Sequence, residues 1–189
     1  MNTIFKKVST SHITLSELML PSHANFSGKI HGGYILSLMD QIAFACASKF
    51  SGNYCVTASV DTVNFLNPIE IGELVTLKAS VNYAGNSSMI VGIRVDSENI
   101  QTGTVRHCNS SYFTMVSKDI AGRNAQVPGI ILSNLKEVSR FQNCLKQIKF
   151  KKENADKKII ATFGSIETIL SGNKHKVRVE LEKEKETED

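Results

Sequence analysis

The stretch NFSGKIHGGYILSLMDQIAFACASKF, residues 25–50, decides how this chain is read. Ile35, Leu38, Met39, Ile42, Ala43, Cys46 and Phe50 recur at intervals of three, four and seven residues, the period of one helix face. The spacing predicts a long buried helix running to about Phe50. Asp40 interrupts the stripe. Its neighbours three and four positions away are Leu36, Ser37, Ala43 and Phe44, so the carboxylate sits beside apolar surface. Such a group is costly unless hydrogen-bonded, which makes it a functional candidate. Ahead of the helix, His31-Gly32-Gly33 offers backbone that a ligand can approach closely, because glycine has no Cβ. A helix start also presents unpaired N–H groups and positive partial charge. One stretch therefore supplies donors for a developing oxyanion at one end and a carboxylate two turns along.

Outward from the helix, the pattern changes to period two. On the N-terminal side, residues 10–20 read as a first strand ended by Pro21, followed by a loop over 21–33. On the other side, Ser51-Gly52-Asn53 is a break. Residues 54–65 then read as a half-buried strand, with Thr57, Ser59 and Asp61 on one face and Val56, Ala58 and Val60 on the other. Further strands are expected over 73–83, 89–96 and 105–116, with turns at Ala84-Gly85-Asn86 and Gly103. One strand, one long helix and four more strands on short links predict an α+β fold, an antiparallel sheet with the helix on one face.

After Lys118 the character shifts. Residues 119–129 read as loop, and Ile131, Leu132, Leu135, Val138, Phe141, Leu145 and Ile148 give a helical period over 131–150. We expect two parts, residues 1–130 and a C-terminal extension 131–189. Between Arg140 and Lys158 stand seven basic residues against Glu153 and Asp156. This run reads either as a solvated helix face or as an anion site for a phosphorylated ligand. Residues 176–181 read as a short strand, and the acidic last ten as a frayed end.

Composition narrows the function classes. With 41% hydrophobic residues the chain is globular, and a net charge of +4 is too mild to argue for nucleic acid. The basic C-terminal region lacks the aromatic interleaving of a nucleic-acid arm. Cys46, Cys55, Cys108 and Cys144 form no CxxC, and Cys46 and Cys55 lie in apolar patterns, which predicts reduced core thiols and a cytoplasmic protein. Residues 1–10 show no apolar run of a signal peptide, and the most apolar stretch, 34–47, is too short to span a bilayer. The five histidines show no metal-ligand spacing, and no GxSxG elbow accompanies a serine.

Residues 25–128 resemble the cytosolic hotdog-fold acyl-CoA thioesterases. The resemblance rests on Asn25 and Gly28, His31-Gly32-Gly33, Asp40, Thr57-Ala58-Ser59-Val60-Asp61, Phe65-x-x-Pro68-Ile69, Gly72, Gly85-x-Ser87-Ser88-Met89, Gly103 and Phe113. It implies a sheet wrapped around one long helix. It implies Asp40 as general base or nucleophile in thioester hydrolysis, Asn25 as an orienting group, and backbone N–H near Gly33 as the oxyanion donor. His31 either fixes the turn before the helix or acts directly. Gly32, Thr57, Ser59 and Asn64 are expected along the substrate. Gly85, Asn86, Ser87 and Ser88 are expected at coenzyme A, where turn N–H groups and hydroxyls meet phosphate. The family usually carries Arg or Lys at the place of Asn86, and lysines of the basic run, Lys149 and Lys152 among them, are expected to supply that charge. No cofactor is expected beyond the coenzyme A of substrate and product. The resemblance also implies a homo-oligomer, a double hotdog assembled as a trimer of dimers, with no nucleic-acid or membrane partner. The competing reading is a non-catalytic acyl-CoA-binding or sensing module on the same fold. A pure binder has no need of a base in its cleft, so Asn25 and Asp40 favour the enzyme.

Overall fold

The computed structural model describes residues 4–158. The chain divides into two compact units, Met1–Gln147 and Ile148–Asp189. The first unit is built on β1 (Phe5–Lys7), β2 (Ile13–Leu18), α1 (Gly32–Ser51), β3 (Tyr54–Val60), β4 (Leu74–Ala84), β5 (Ser88–Asn99), β6 (Thr104–Lys118) and β7 (Gly129–Ile131). Helix α2 (Leu135–Lys158) begins in the first unit and supplies the described residues of the second. Five strands form one antiparallel sheet in the order β2-β4-β5-β6-β3.

The apolar stripe of α1 does what its period predicts. Ile35, Leu38, Met39, Ile42, Ala43, Cys46 and Phe50 are all buried. They pack against alternate residues of the sheet: Val75, Leu77, Ala79 and Val81 from β4, Met89, Val91, Ile93 and Val95 from β5, and Phe113 and Met115 from β6. The α+β expectation holds. Burial also silences two thiols. It pushes Cys46 up to about 12 and Cys144 up to about 11, so neither is a thiolate nucleophile at neutral pH.

Several expectations need correction. The strand expected over 10–20 is β2 and starts only at Ile13, because Val8–Ser11 forms a 3-10 turn. The strand expected over 54–65 leaves the ladder after Val60, with Ala58 bulged between Thr57 and Ser59. Its half-buried alternation is not observed: Thr57 to Val60 are all exposed, because β3 is an edge strand. Nor does β3 pair with the next strand. Residues 61–73 carry the chain across, so β3 lies beside β6 and β4 beside β2 and β5. The loop expected over 119–129 ends in β7, which pairs in parallel with β1. A Cβ on Gly129 would lie 2.5 Å from Phe5 Cε1, so a side chain here would have to displace the exposed Phe5 ring. Helix α2 starts four residues later than its apolar period. Asn134 Oδ1 accepts from the Glu137 N–H at 3.0 Å, and Glu137 Oε2 accepts from the Ser133 N–H at 2.6 Å, a reciprocal cap. Leu135 and Leu145 are exposed, and Cys144 and Glu137 take the buried positions instead. The strand expected at 176–181 lies outside the described residues.

At one end of the sheet Glu73 is buried with its partners. It accepts from the Ser97 hydroxyl, the Glu70 N–H at 3.1 Å and the Arg106 guanidinium. Burial pushes its carboxyl up, but the Ser97, Glu70 and Arg106 contacts together outweigh burial and hold it below the usual range. A depressed carboxylate stabilises the fold above its unfolded-state pKa, and that stabilisation is lost as pH falls through the folded value. Unfolding free energy is therefore expected to drop below about pH 4.5, with a flatter acid limb in Glu73→Gln. Arg106→Ala should cost about 1–3 kcal/mol at neutral pH by leaving part of a buried carboxylate unpaired. Chemical denaturation of the three proteins across pH 3–8 measures both.

Candidate active site

Asp40 lies on the exposed flank of α1, one turn from the buried Ala43. Its carboxylate is held from the sheet: Thr57 Oγ1 donates to Asp40 Oδ1 at 2.6 Å. The Thr57 oxygen also lies 3.5 Å from Met115 Sδ, which fixes the hydroxyl on the core side of the bulge. Thr57 thus orients Asp40, a contact the sequence does not advertise because 17 residues separate the two. Thr57, Met115 and Met89 are in register across β3, β6 and β5. The turn Gly85–Ser88 follows at the next position, so it stands about 10 Å from Thr57, two strand spacings. Gly85 N–H donates to Ser88 O at 2.8 Å, Ser117 N–H to Ser87 O at 2.9 Å, and Val127 N–H to Asn86 O at 2.9 Å. The turn is tied down on both sides. Ser59 lies just past the bulge, exposed on the free edge.

A second cluster forms around the start of α1. His31 caps the helix, its Nδ1 accepting from the Gly33 N–H at 3.0 Å. The Tyr34 and Ile35 N–H groups donate to His31 O at 3.0 and 3.4 Å. Among the described residues the Gly32 N–H has no partner, so the open donor of the first turn is Gly32 rather than Gly33. A Cβ on Gly32 would lie 3.2 Å from Phe65 Cζ, which brings the exposed Phe65 ring over the helix start. The backbone carbonyl of the neighbouring Asn64 accepts from Asn109 Nδ2 at 2.9 Å. Asn25 shapes the preceding loop: its Oδ1 accepts from Ser27 N–H at 2.9 Å, Ser27 Oγ at 2.7 Å and Lys29 N–H at 3.2 Å. The Asn25 amide nitrogen makes none of these bonds.

The two clusters do not meet within one chain. Gly33 and Asp40 are seven residues apart on one helix, about 10 Å along its axis. Lys149 and Lys152 belong to the second unit and are exposed, Lys149 lying 3.9 Å from Glu153. Among the described residues no group of three His, Cys, Asp or Glu side chains could hold a metal ion, and no helix is long and apolar enough to cross a membrane.

Residues 27–104 match the model of the thioesterase superfamily. A crystal structure of an apo-hexameric acyl-CoA thioesterase superposes with a TM-score of 0.78 at 31% identity, over 80% of this chain and 97% of that one. The chain belongs to the thioesterase superfamily, with the hotdog fold. Protein VdlD of Helicobacter pylori is 41% identical over 135 residues, 71% of this chain and 77% of that protein. The human cytosolic acyl coenzyme A thioester hydrolase is 32% identical over 137 residues, 71% of this chain but 36% of that longer protein. An acyl-CoA hydrolase from Staphylococcus aureus, in complex with butyryl coenzyme A, coenzyme A and coenzyme A disulfide, gives a TM-score of 0.76 at 28% identity, over 88% of this chain and 99% of that one. Structures of that hydrolase also carry an aspartate, an asparagine or a threonine replaced by alanine.

The His31 cap is expected to contribute to the stability of the fold. His31→Ala removes the acceptor for Gly33 N–H and should cost about 1 kcal/mol. That corresponds to a fall in melting temperature of about 2–8 °C. An unchanged melting temperature would show that water replaces the imidazole at no cost.

Proposed function

We propose that this chain is an acyl-CoA thioester hydrolase acting in the cytoplasm, releasing a carboxylic acid and coenzyme A. We assign the activity to residues 1–130, with 131–189 as an extension. The observation that carries the reading is the Asp40–Thr57 pair on an exposed helix flank of a thioesterase fold. The Staphylococcus aureus hydrolase supports it. Its replaced asparagine, aspartate and threonine are spaced by 15 and 17 positions, the intervals from Asn25 to Asp40 and from Asp40 to Thr57 here.

Water attacks the thioester carbon and Asp40 accepts its proton, the carboxylate being aimed by Thr57. Negative charge develops on the carbonyl oxygen and is met by N–H at the start of α1, where partial positive charge is fixed in place. Gly32 N–H is ready to donate. Gly33 N–H joins when the oxygen displaces His31 Nδ1. The C–S bond then breaks, the thiolate of coenzyme A leaves, and the acid remains. A carboxylate that attacks directly would pass through a mixed anhydride instead, and single-turnover reaction in labelled water separates the two routes.

Because base and oxyanion donor lie about 10 Å apart in one chain, one carbonyl cannot use both from the same protomer. We therefore place the site between two copies, Asp40 and Thr57 from one and the α1 start with Asn25 from the other. The exposed β3 edge and the exposed Phe44, Tyr54, Val60, Phe65 and Leu66 are the surface such a pair would cover. A trimer of these dimers is the proposed assembly, in keeping with the hexameric thioesterase of similar fold. The turn Gly85–Ser88 is the proposed coenzyme A contact. Lys149 and Lys152 are assigned to phosphate on charge alone, and no cofactor, nucleic acid or membrane enters the scheme.

Thiol release from acyl-CoA substrates of varied chain length tests the reading. Asp40→Ala should lower kcat by about 100- to 10,000-fold. Thr57→Val should lower kcat with little change in KM, since the hydroxyl aims the base. Wild-type protein that binds acyl-CoA yet releases no thiol from any chain length would make this a binding module.

A further inference from the structure

The face of the sheet turned away from α1 carries a cleft that the thioester chemistry does not use. Along each strand the residues that point into the core alternate with those that point outward, so Lys78, Arg94 and Ser110 project on the side opposite Leu77, Val95 and Phe113. Thr14, Lys78, Arg94 and Ser110 are in register across β2, β4, β5 and β6 and form one row. Beside that row lies Gly92, flanked by Asn82 and Tyr112. A Cβ on Gly92 would stand 2.2 Å from Asn82 Nδ2, so this floor position has no room for a side chain. The first turns of α2 form the opposite wall, with Lys136 and Arg140 one helical turn apart. The cavity so enclosed is about 540 Å³, within the range of small-molecule sites.

Its charge is predominantly positive. Four cations line it, Lys78 and Arg94 on the floor and Lys136 and Arg140 on the wall. Arg94 spends Nε on Asp96, at 2.9 Å, which leaves its terminal nitrogens as donors. The other acid nearby is Asp61; burial is the main cause that holds the Tyr112 hydroxyl above its usual range, and Asp61 adds a smaller push in the same direction. Like charges gathered from three elements around one cavity repel each other, and an anion between them relieves that cost. Cations on both floor and wall suit an anion that carries two charged groups, such as a diphosphate. The Tyr112 ring lies beside them and offers a surface for a planar base. Ser110, His107 and Asp96 do form a hydrogen-bonded row, each link 3.2 Å. It carries no hydrolytic reading, because Ser110 lies within β6, in register with Arg94 of β5, rather than on a turn that exposes an oxyanion site.

We propose that this outer cleft is a second ligand site, separate from the Asp40 site, that binds a diphosphate-bearing small molecule of the nucleoside diphosphate type. The diphosphate belongs either to a free nucleotide or to the nucleotide half of coenzyme A. Isothermal titration of the full-length protein with pyrophosphate, with ADP and with coenzyme A tests this. Pyrophosphate and ADP should each bind saturably and weaken with added salt. Lys78→Gln/Arg140→Gln should weaken both by at least tenfold with unchanged melting temperature. Lys136→Glu should do the same if the double variant fails to fold. Displacement of ADP by coenzyme A would assign the cleft to the carrier, and simultaneous binding would assign it to a free nucleotide. No binding of either phosphate probe at millimolar concentration, or equal binding by wild type and variants, would overturn the proposal.

Discussion

Everything in this fold depends on one face of α1 being buried against a sheet that it cannot leave. Eight residues of the helix are buried and the sheet offers them an unbroken apolar surface. At about 25 cal/mol per Å² of apolar surface removed from water, this contact is the dominant favourable term of the domain. It also determines which flank of the helix stays open. Asp40 is on that flank because the stripe claims the positions on either side of it, and Thr57 reaches it because β3 forms the nearest sheet edge. Seven residues of helix, about 10 Å of rise, then separate the start of α1 at Gly33 from the Asp40 carboxylate. A buried helix of this length cannot close a compact site on itself.

Much of this was legible in the sequence. The helical stripe from Ile35 to Phe50 needed no tertiary context, since its period is a property of one element. The hairpins β4–β5 and β5–β6 were legible from alternation and from the turns at Gly85-Asn86 and Gly103. What failed was long-range or very short. The partner of β3 depends on where residues 61–73 lay the chain, which no local pattern encodes. Strands of three residues, β1 and β7, are too brief to display a period, and Gly129 signals them only once Phe5 is beside it. The start of α2 slipped because Ile131 and Leu132 extend an apolar rhythm that the Asn134–Glu137 cap cuts off.

At the site, residue types were legible and pairings were not. Asp40 and the glycine pair stood out by their chemistry, and Asn25 entered through the family resemblance. That Thr57 is the hydrogen-bond donor to Asp40 became visible with the fold. Likewise, the family resemblance pointed to backbone N–H near Gly33, and only the fold shows the His31 imidazole accepting from Gly33 N–H beside the neighbouring Gly32. Such pairings stay hidden because a cap is decided by a side-chain rotamer, which no spacing rule reports.

The central claim is that Asp40 and the helix start act on one substrate only when supplied by two protomers. Asn25→Ala and Asp40→Ala chains, each inactive alone, can be unfolded, mixed in equal amounts and refolded. A mixed dimer holds one site with both residues intact and one with neither. Random twofold pairing should therefore restore roughly a quarter of wild-type thiol release. Mixed dimers that form, as shown by mass spectrometry of differently tagged chains, yet recover no activity would contradict the shared site.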